Sequence, residues 1–169
     1  QMCIRDSRVA AGGVAELYGL KPDIVTYGKA LGQGFPIAAI AGPNHIMESI
    51  EYGKVLHYGS HNAPRLGLFA TKTMLEQMSR DNCAGYKKIS EVGNKMTKRL
   101  NQAAADTGQN MRVQNIGSMF HPVFTDLEEI TNYREFCQTV DLAKYAEFSQ
   151  KMRDQGIFFS GNKILHNLS

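Results

Sequence analysis

The chain has 169 residues, 43% hydrophobic and 21% charged, with a formal net charge of +3. This is ordinary globular composition, long enough to bury a real core. It excludes a membrane-spanning helix, because no apolar run approaches ~18 residues, and it gives no basic stripe with interleaved aromatics to argue for nucleic acid. No secretory signal is visible. Three cysteines at positions 3, 83 and 137 have neither metal nor redox spacing. An odd count argues against a disulfide framework, so a cytoplasmic, reducing setting is expected.

Gln1 to Ser7 resembles the translation of a sequencing adaptor and is set aside from fold reasoning. The chain is expected to be an internal fragment of a longer protein. Arg8 to Gly13 is expected to be a loop, and Val14 to Tyr18 a helical turn ended by Gly19. Ile24 and Val25, bounded by Pro22 and Gly28, predict a short strand, and Ile37 to Ile40, closed by Gly42 and Pro43, predict a second. Segments 24–27 and 37–41 are apolar on both faces, as in the interior of a mostly parallel sheet covered by helices.

Lys29 lies between these strands, with Gly28, Gly32 and Gly34 around it. Three interpretations compete. A Walker-type phosphate lysine needs a glycine five residues before the Gly-Lys pair and a Ser or Thr after it; Asp23 and Ala30 occupy those positions, which rejects it. A solvated loop lysine is the commonest fate of lysines. A Schiff-base lysine is the third: an amine buried among apolar residues loses stability in its charged form and becomes nucleophilic toward an aldehyde.

Downstream, Asn44 to Ile50 is expected to be a helix capped by Asn44. The segment from Glu51 to Asn62 is polar and glycine-punctuated; His57 and His61 within it have no convincing metal spacing. Ala63 to Met78 predicts a helix with Leu66, Phe69, Ala70, Thr73, Met74 and Gln77 on one face. Asp81 and Asn82 break it. A longer helix over 84–105 carries Ile89, Val92, Met96, Leu100 and Ala103 as its stripe, while Lys87, Lys88, Lys95, Lys98 and Arg99 form a solvated face. Met111 to Ile116 and Ser118 to Thr125 predict strands separated by Gly117, with His121 as a structural residue. Asn132 to Val140 is short helix or coil. Asp141 caps a helix to Asp154, with Leu142, Tyr145, Phe148 and Met152 inward, Gly156 ends it, and Ile157 to Phe159 predict a strand.

Pro22-Asp23-Ile24, then Gly28-Lys29-Ala30-Leu31-Gly32, then Gly34-Phe35-Pro36-Ile37 resembles the cofactor-lysine segment of class III aminotransferases. The resemblance extends to Ser7–Gly13, a loop similar to one in the glutamate-1-semialdehyde aminomutase subgroup, and to Gly117–Phe120 with Val123–Thr125, similar to a hairpin of its small domain. It implies an α/β protein of fold type I: part of the cofactor-binding large domain over 8–83 and a small domain over 84–169. It implies pyridoxal 5'-phosphate as cofactor, joined to Lys29 as a Schiff base. His57-Tyr58-Gly59-Ser60-His61-Asn62 resembles the family's Gly-Thr-Phe segment, whose hydroxyl reaches the phosphate of the neighbouring subunit. Ser60 would fill that role, with Gly59 beside it, which implies a homodimer. No metal is implied. The substrates would be a small-molecule amino donor and a carbonyl acceptor.

Two departures matter. The family's Asp that pairs with the pyridinium nitrogen belongs just before position 8 and is not present, so the chain alone is expected to be inactive. The aminomutases carry a Phe-Glu-Ala type segment near the end; residues 160–169 contain no Glu, which counts against mutase activity and leaves the cofactor chemistry untouched. A non-catalytic relative of the same fold, which Lys29 and Ser60 argue against, and a decarboxylase or racemase on the same cofactor are the rival expectations.

Overall fold

The computed structural model describes residues 6–160 and 166–167. Two compact units divide the chain, residues 1–87 and 88–169.

The first unit begins with two short helices, α1 (Asp6–Val9) and α2 (Gly13–Leu17). Strands β1 (Val25–Tyr27) and β2 (Ala39–Ala41) follow, then α3 (Asn44–Glu51) and α4 (Arg65–Met78). Part of the segment expected to be a loop, 8–13, is thus the end of α1. The strands pair antiparallel, with Val25 opposite Ala41 and Tyr27 opposite Ala39. This corrects the expected parallel sheet. The connection between them folds as a tight turn and loop, whereas a parallel pair needs a crossover of a dozen or more residues, usually a helix. The strands are also not interior: β1 is half-buried and β2 exposed. The cap of α3 is Pro43, and Asn44 is already helical with no capping bond.

Helix α4 buries Gly67 and Met74, with Ala70 and Thr71 half-buried between them. Leu66 and Phe69, expected inward, are 72% and 68% exposed. The apolar residues therefore outnumber those that one face can bury, and the face selected is the one with the smallest residue, Gly67. Helix α5 (Arg80–Asp106) is interrupted at Asp81, Asn82 and Cys83, all left-handed, so its regular part starts near the expected position. Asp and Asn tolerate that conformation better than most residues.

The second unit is built on a hairpin. Strands β3 (Met111–Ile116) and β4 (Met119–Phe124) pair from Met111–Phe124 to Ile116–Met119, across a turn at Gly117, whose φ is +55°. Pro122 has no N–H to give to β3. It lies opposite Val113, whose own N–H and C=O turn outward and bond the Oδ1 and Nδ2 of Asn101 at 2.8 and 2.9 Å. An α5 side chain thus pairs with the outer edge of β3 as a neighbouring strand would. A Cβ on Gly93 of α5 would collide with the Gly117 carbonyl oxygen. These two contacts set the rotation of the helix: Gly93 and Ala104 are buried, while Val92 and Met96 of the expected stripe are exposed. The lysine and arginine face is solvated as expected.

Helices α6 (Tyr133–Thr139) and α7 (Leu142–Asp154) complete the unit. They are capped by Asn132, which accepts from Glu135 N, and by Asp141, which accepts from Lys144 N at 2.8 Å. Tyr145 is inward as expected and Leu142 is not; the buried neighbour is Ser149. Ile157–Phe159 is not a strand. Its end is tied to α7 instead, by Ser149 Oγ donating to the Phe159 carbonyl and Tyr145 Oη donating to that of Ser160, both at 2.9 Å. The third strand, β5 (His166–Asn167), pairs with Met119 and Phe120 of β4. Ala104, Met111, Val113, Phe120, Phe124, Tyr145 and Phe159 form the core.

Candidate functional site

Strand β1 delivers the chain to Gly28, which is fully extended, and the next four residues, Lys29–Gly32, form a 3-10 turn. Lys29 opens it at φ 50°, and Gln33 closes it at φ 48°. A non-glycine residue with positive φ is uncommon and costs about 1–3 kcal/mol. Such conformations persist where the surroundings over-determine them, and they cluster at functional sites. Here the backbone is tied by Leu31 N to Gly28 O at 3.2 Å and Phe35 N to Gly32 O at 2.9 Å. Leu31 is buried, and both α1 and α4 pack on the turn.

The Lys29 side chain is exposed. This corrects the expectation of an amine buried between two strands: the strands beside it are themselves open, so the chain supplies little apolar cover. Among the described residues Lys29 makes no ion pair and no side-chain hydrogen bond. Its amine is left free for another partner.

Gly59 and Ser60 lie in the stretch that leads into α4. Asn62 N bonds Gly59 O at 3.0 Å, closing a turn, and Ala63 follows at φ 51°. Ser60 is exposed, and its hydroxyl has no partner among the described residues. No hydrogen bond joins Lys29 to Ser60 among the described residues. His57 and His61 are exposed, and no metal-binding cluster exists among the described residues.

Ile37 belongs to the segment singled out above, but its packing against Gly32 and against Gly67 of α4 escaped sequence reasoning; the only signal was the spacing of small and β-branched residues around the lysine. Arg8 of α1 is half-buried, and its Nε has no hydrogen-bond partner among the described residues. An apolar groove of about 410 Å³ belongs to the second unit, with Leu100, Met111, Phe124, Phe148 and Met152 among its lining residues, and contains none of these residues. Elsewhere in the same unit, burial pushes the Tyr145 hydroxyl up to about 12.

Comparison with known proteins agrees with this architecture. The model of the aminotransferase class-III family matches residues 11–166. The chain belongs to that family. It is 32% identical over 158 residues to the glutamate-1-semialdehyde 2,1-aminomutase of Clostridium kluyveri, and 34% identical over 158 residues to that of Pelotomaculum thermopropionicum. Each alignment covers 93% of this chain, but only 37% and 36% of the relative. The chain thus spans little more than a third of the length of these relatives. Among solved structures, an omega-transaminase from Sphaerobacter thermophilus superposes with a TM-score of 0.82 at 20% identity, covering 97% of this chain and 37% of that one. A transaminase with PLP bound superposes at 0.78 and 23% identity over the same shares. The fold is the α/β fold of these aminotransferases, fold type I. Among the described residues, no helix is long and apolar enough to cross a membrane.

Proposed function

We propose that this chain is the lysine-bearing part of a cytoplasmic, homodimeric, pyridoxal 5'-phosphate-dependent aminotransferase. Lys29 is its catalytic residue. The observation that carries this is the conformation of Lys29: left-handed, on a tied 3-10 turn, with an amine that no other described residue uses. The residues present fit the cofactor, because a primary amine and a hydroxyl, the groups suited to its aldehyde and its phosphate, both lack a partner among the described residues. When bound, the cofactor supplies an electron sink for the substrate's amine-bearing carbon.

Lys29 Nζ holds the cofactor covalently. When not bonded to the cofactor, the same nitrogen would take up and return the substrate proton. Ser60 Oγ, with Gly59 giving the backbone room beside it, donates to the phosphate bound by the other copy in a homodimer. A hydrogen bond to a charged group contributes about 1.5–3 kcal/mol. The exposed apolar side chains of α4 support an interface in this unit.

The reaction is transfer of an amino group from a small amine donor to a carbonyl acceptor. A second reading, return of the amine to the neighbouring carbon as in a mutase, is favoured by the names of the two relatives; the missing Glu over 160–169 weighs against it. Lys29→Ala in the full-length protein tests the assignment: the visible absorbance of covalently held cofactor and turnover should both vanish, while the protein stays folded. Turnover surviving in Lys29→Ala would refute it. Product analysis with separate donor and acceptor distinguishes the two reactions.

A further inference from the structure

The lysine turn and α4 share one wedge. A Cβ on Gly32, the last residue of the turn, would lie 2.6 Å from Ile37 Cγ2. A Cβ on Gly67 of α4 would lie 3.2 Å from Ile37 Cβ and 3.3 Å from Pro64 Cγ. Gly32 lies outside the left-handed region, so its glycine is required for space and not for backbone freedom. Ile37 is itself held by a bond from its N–H to the Phe35 carbonyl at 2.9 Å, and its side chain is half-buried. One β-branched side chain therefore fills the gap between the turn that carries Lys29 and the helix into which the Gly59–Ser60 segment runs.

We propose that Ile37 is a positioning residue: wedged between Gly32 and Gly67, it holds the 3-10 turn so that Lys29 keeps the left-handed conformation that presents its Nζ, and ties that turn to the start of α4. The proposal rests on the reading of Lys29 as the cofactor-holding amine. A left-handed lysine is unfavourable by itself and persists only under restraint. The hydrogen bonds of the turn restrain its backbone internally; Ile37, beside the burial of Leu31, ties the turn as a body to α4. Misplacing a reacting group by about 1 Å costs up to ~100-fold in rate, so a steric shift at Gly32 should be felt at the amine.

The test uses size complementation. Gly32→Ala places a methyl where Ile37 Cγ2 sits. Adding Ile37→Leu removes the β-branch at that place while conserving side-chain volume. Two readouts separate the claims. Amide hydrogen exchange over residues 29–35 in the cofactor-free chain reports on the turn. Borohydride trapping of pyridoxal phosphate, with peptide mapping, reports the selectivity for Lys29 over the other lysines. In Gly32→Ala the turn amides should exchange about tenfold faster or more, and the selectivity should fall about tenfold. The double substitution should bring both back to within about threefold of the unsubstituted chain. Unchanged exchange in Gly32→Ala, or a double variant no better than the single one, overturns the proposal. If Gly32→Ala loses its fold by circular dichroism, the double variant decides: fold and selectivity restored together support the wedge, and fold restored without selectivity overturns it. No trapping at Lys29 in the unsubstituted chain would refute the reading of Lys29, and with it the positioning role, while exchange still reports whether the wedge orders the turn.

Discussion

The two units treat their apolar residues in opposite ways. In residues 88–169 they converge: Val123 is wholly buried, and Phe120, Phe124, Phe148 and Phe159 meet in edge-to-face contacts at 5.2 to 6.3 Å. In residues 1–87 they diverge: Leu56, Leu66 and Phe69 face solvent, and strand β2 is exposed along its length. On the proposed role of Lys29, stability and chemistry fall in different places. The second unit closes its core with its own residues. The first unit carries the strained lysine turn and the Ser60 loop on a surface still rich in apolar side chains, the kind of surface that marks an interface. Binding segments are commonly drawn from the less stable parts of a structure.

The comparison breaks most visibly at Phe124. Its ring packs on Phe148 at 5.7 Å and lies under the Lys144 ammonium at 5.1 Å. Phe124→Ala should destabilise the second unit by about 3–5 kcal/mol, read as lost exchange protection in β3. A loss below about 1 kcal/mol would mean that the core does not depend on this cluster.

Alkali should act on the same unit. The Tyr145 hydroxyl is buried and titrates at about 12, above its ordinary value of 10. Its contribution is therefore fully present below pH ~10 and is lost as pH rises through about 12. A shift of two units corresponds to roughly 2–3 kcal/mol. Tyr145→Phe should flatten the fall in stability across this window, measured by denaturant titration at stepped pH. An equally steep fall in the variant would assign the effect to another group.

The smallest effect belongs to the first unit and sharpens the contrast. Phe69→Ser removes a large apolar ring that is mostly exposed, so the stability of a single copy should change by less than about 0.5 kcal/mol. Self-association, followed by light scattering across concentration, should weaken. A large stability loss without a change in association would place Phe69 in a core rather than an interface.

Much of this was legible in the sequence where a local rule has no competitor. Asp141 and Gly156 bracket α7, Gly117 marks the hairpin turn, and Asp81-Asn82 marks the break between the helices expected over 63–78 and 84–105, because caps, left-handed turns and breaks depend on one or two residues. The family was legible in the spacing around Lys29. The faces of α4 and α5 were not, because hydrophobic periodicity ranks residues by apolarity, while these helices are rotated by close approach and by hydrogen bonding. Gly93 lets the Gly117 carbonyl in, Gly67 accepts Ile37, and Asn101 substitutes for a strand. The parallel sheet was misjudged for a related reason: two apolar runs look the same in either orientation, and the connection decides. The exposure of Lys29 was missed because burial was inferred from strands that turn out to be open.

The account's central claim is that Lys29 holds the cofactor, and trapping tests it most directly. The protein is incubated with pyridoxal phosphate, reduced with borohydride, digested, and the modified peptide is sequenced. Capture of an aldehyde needs only the amine, so the result does not depend on turnover. The label should reside on the peptide containing Gly28-Lys29-Ala30, and should disappear in Lys29→Ala. A label concentrated on any other lysine, or spread evenly over the solvated lysines of α5, would contradict the account.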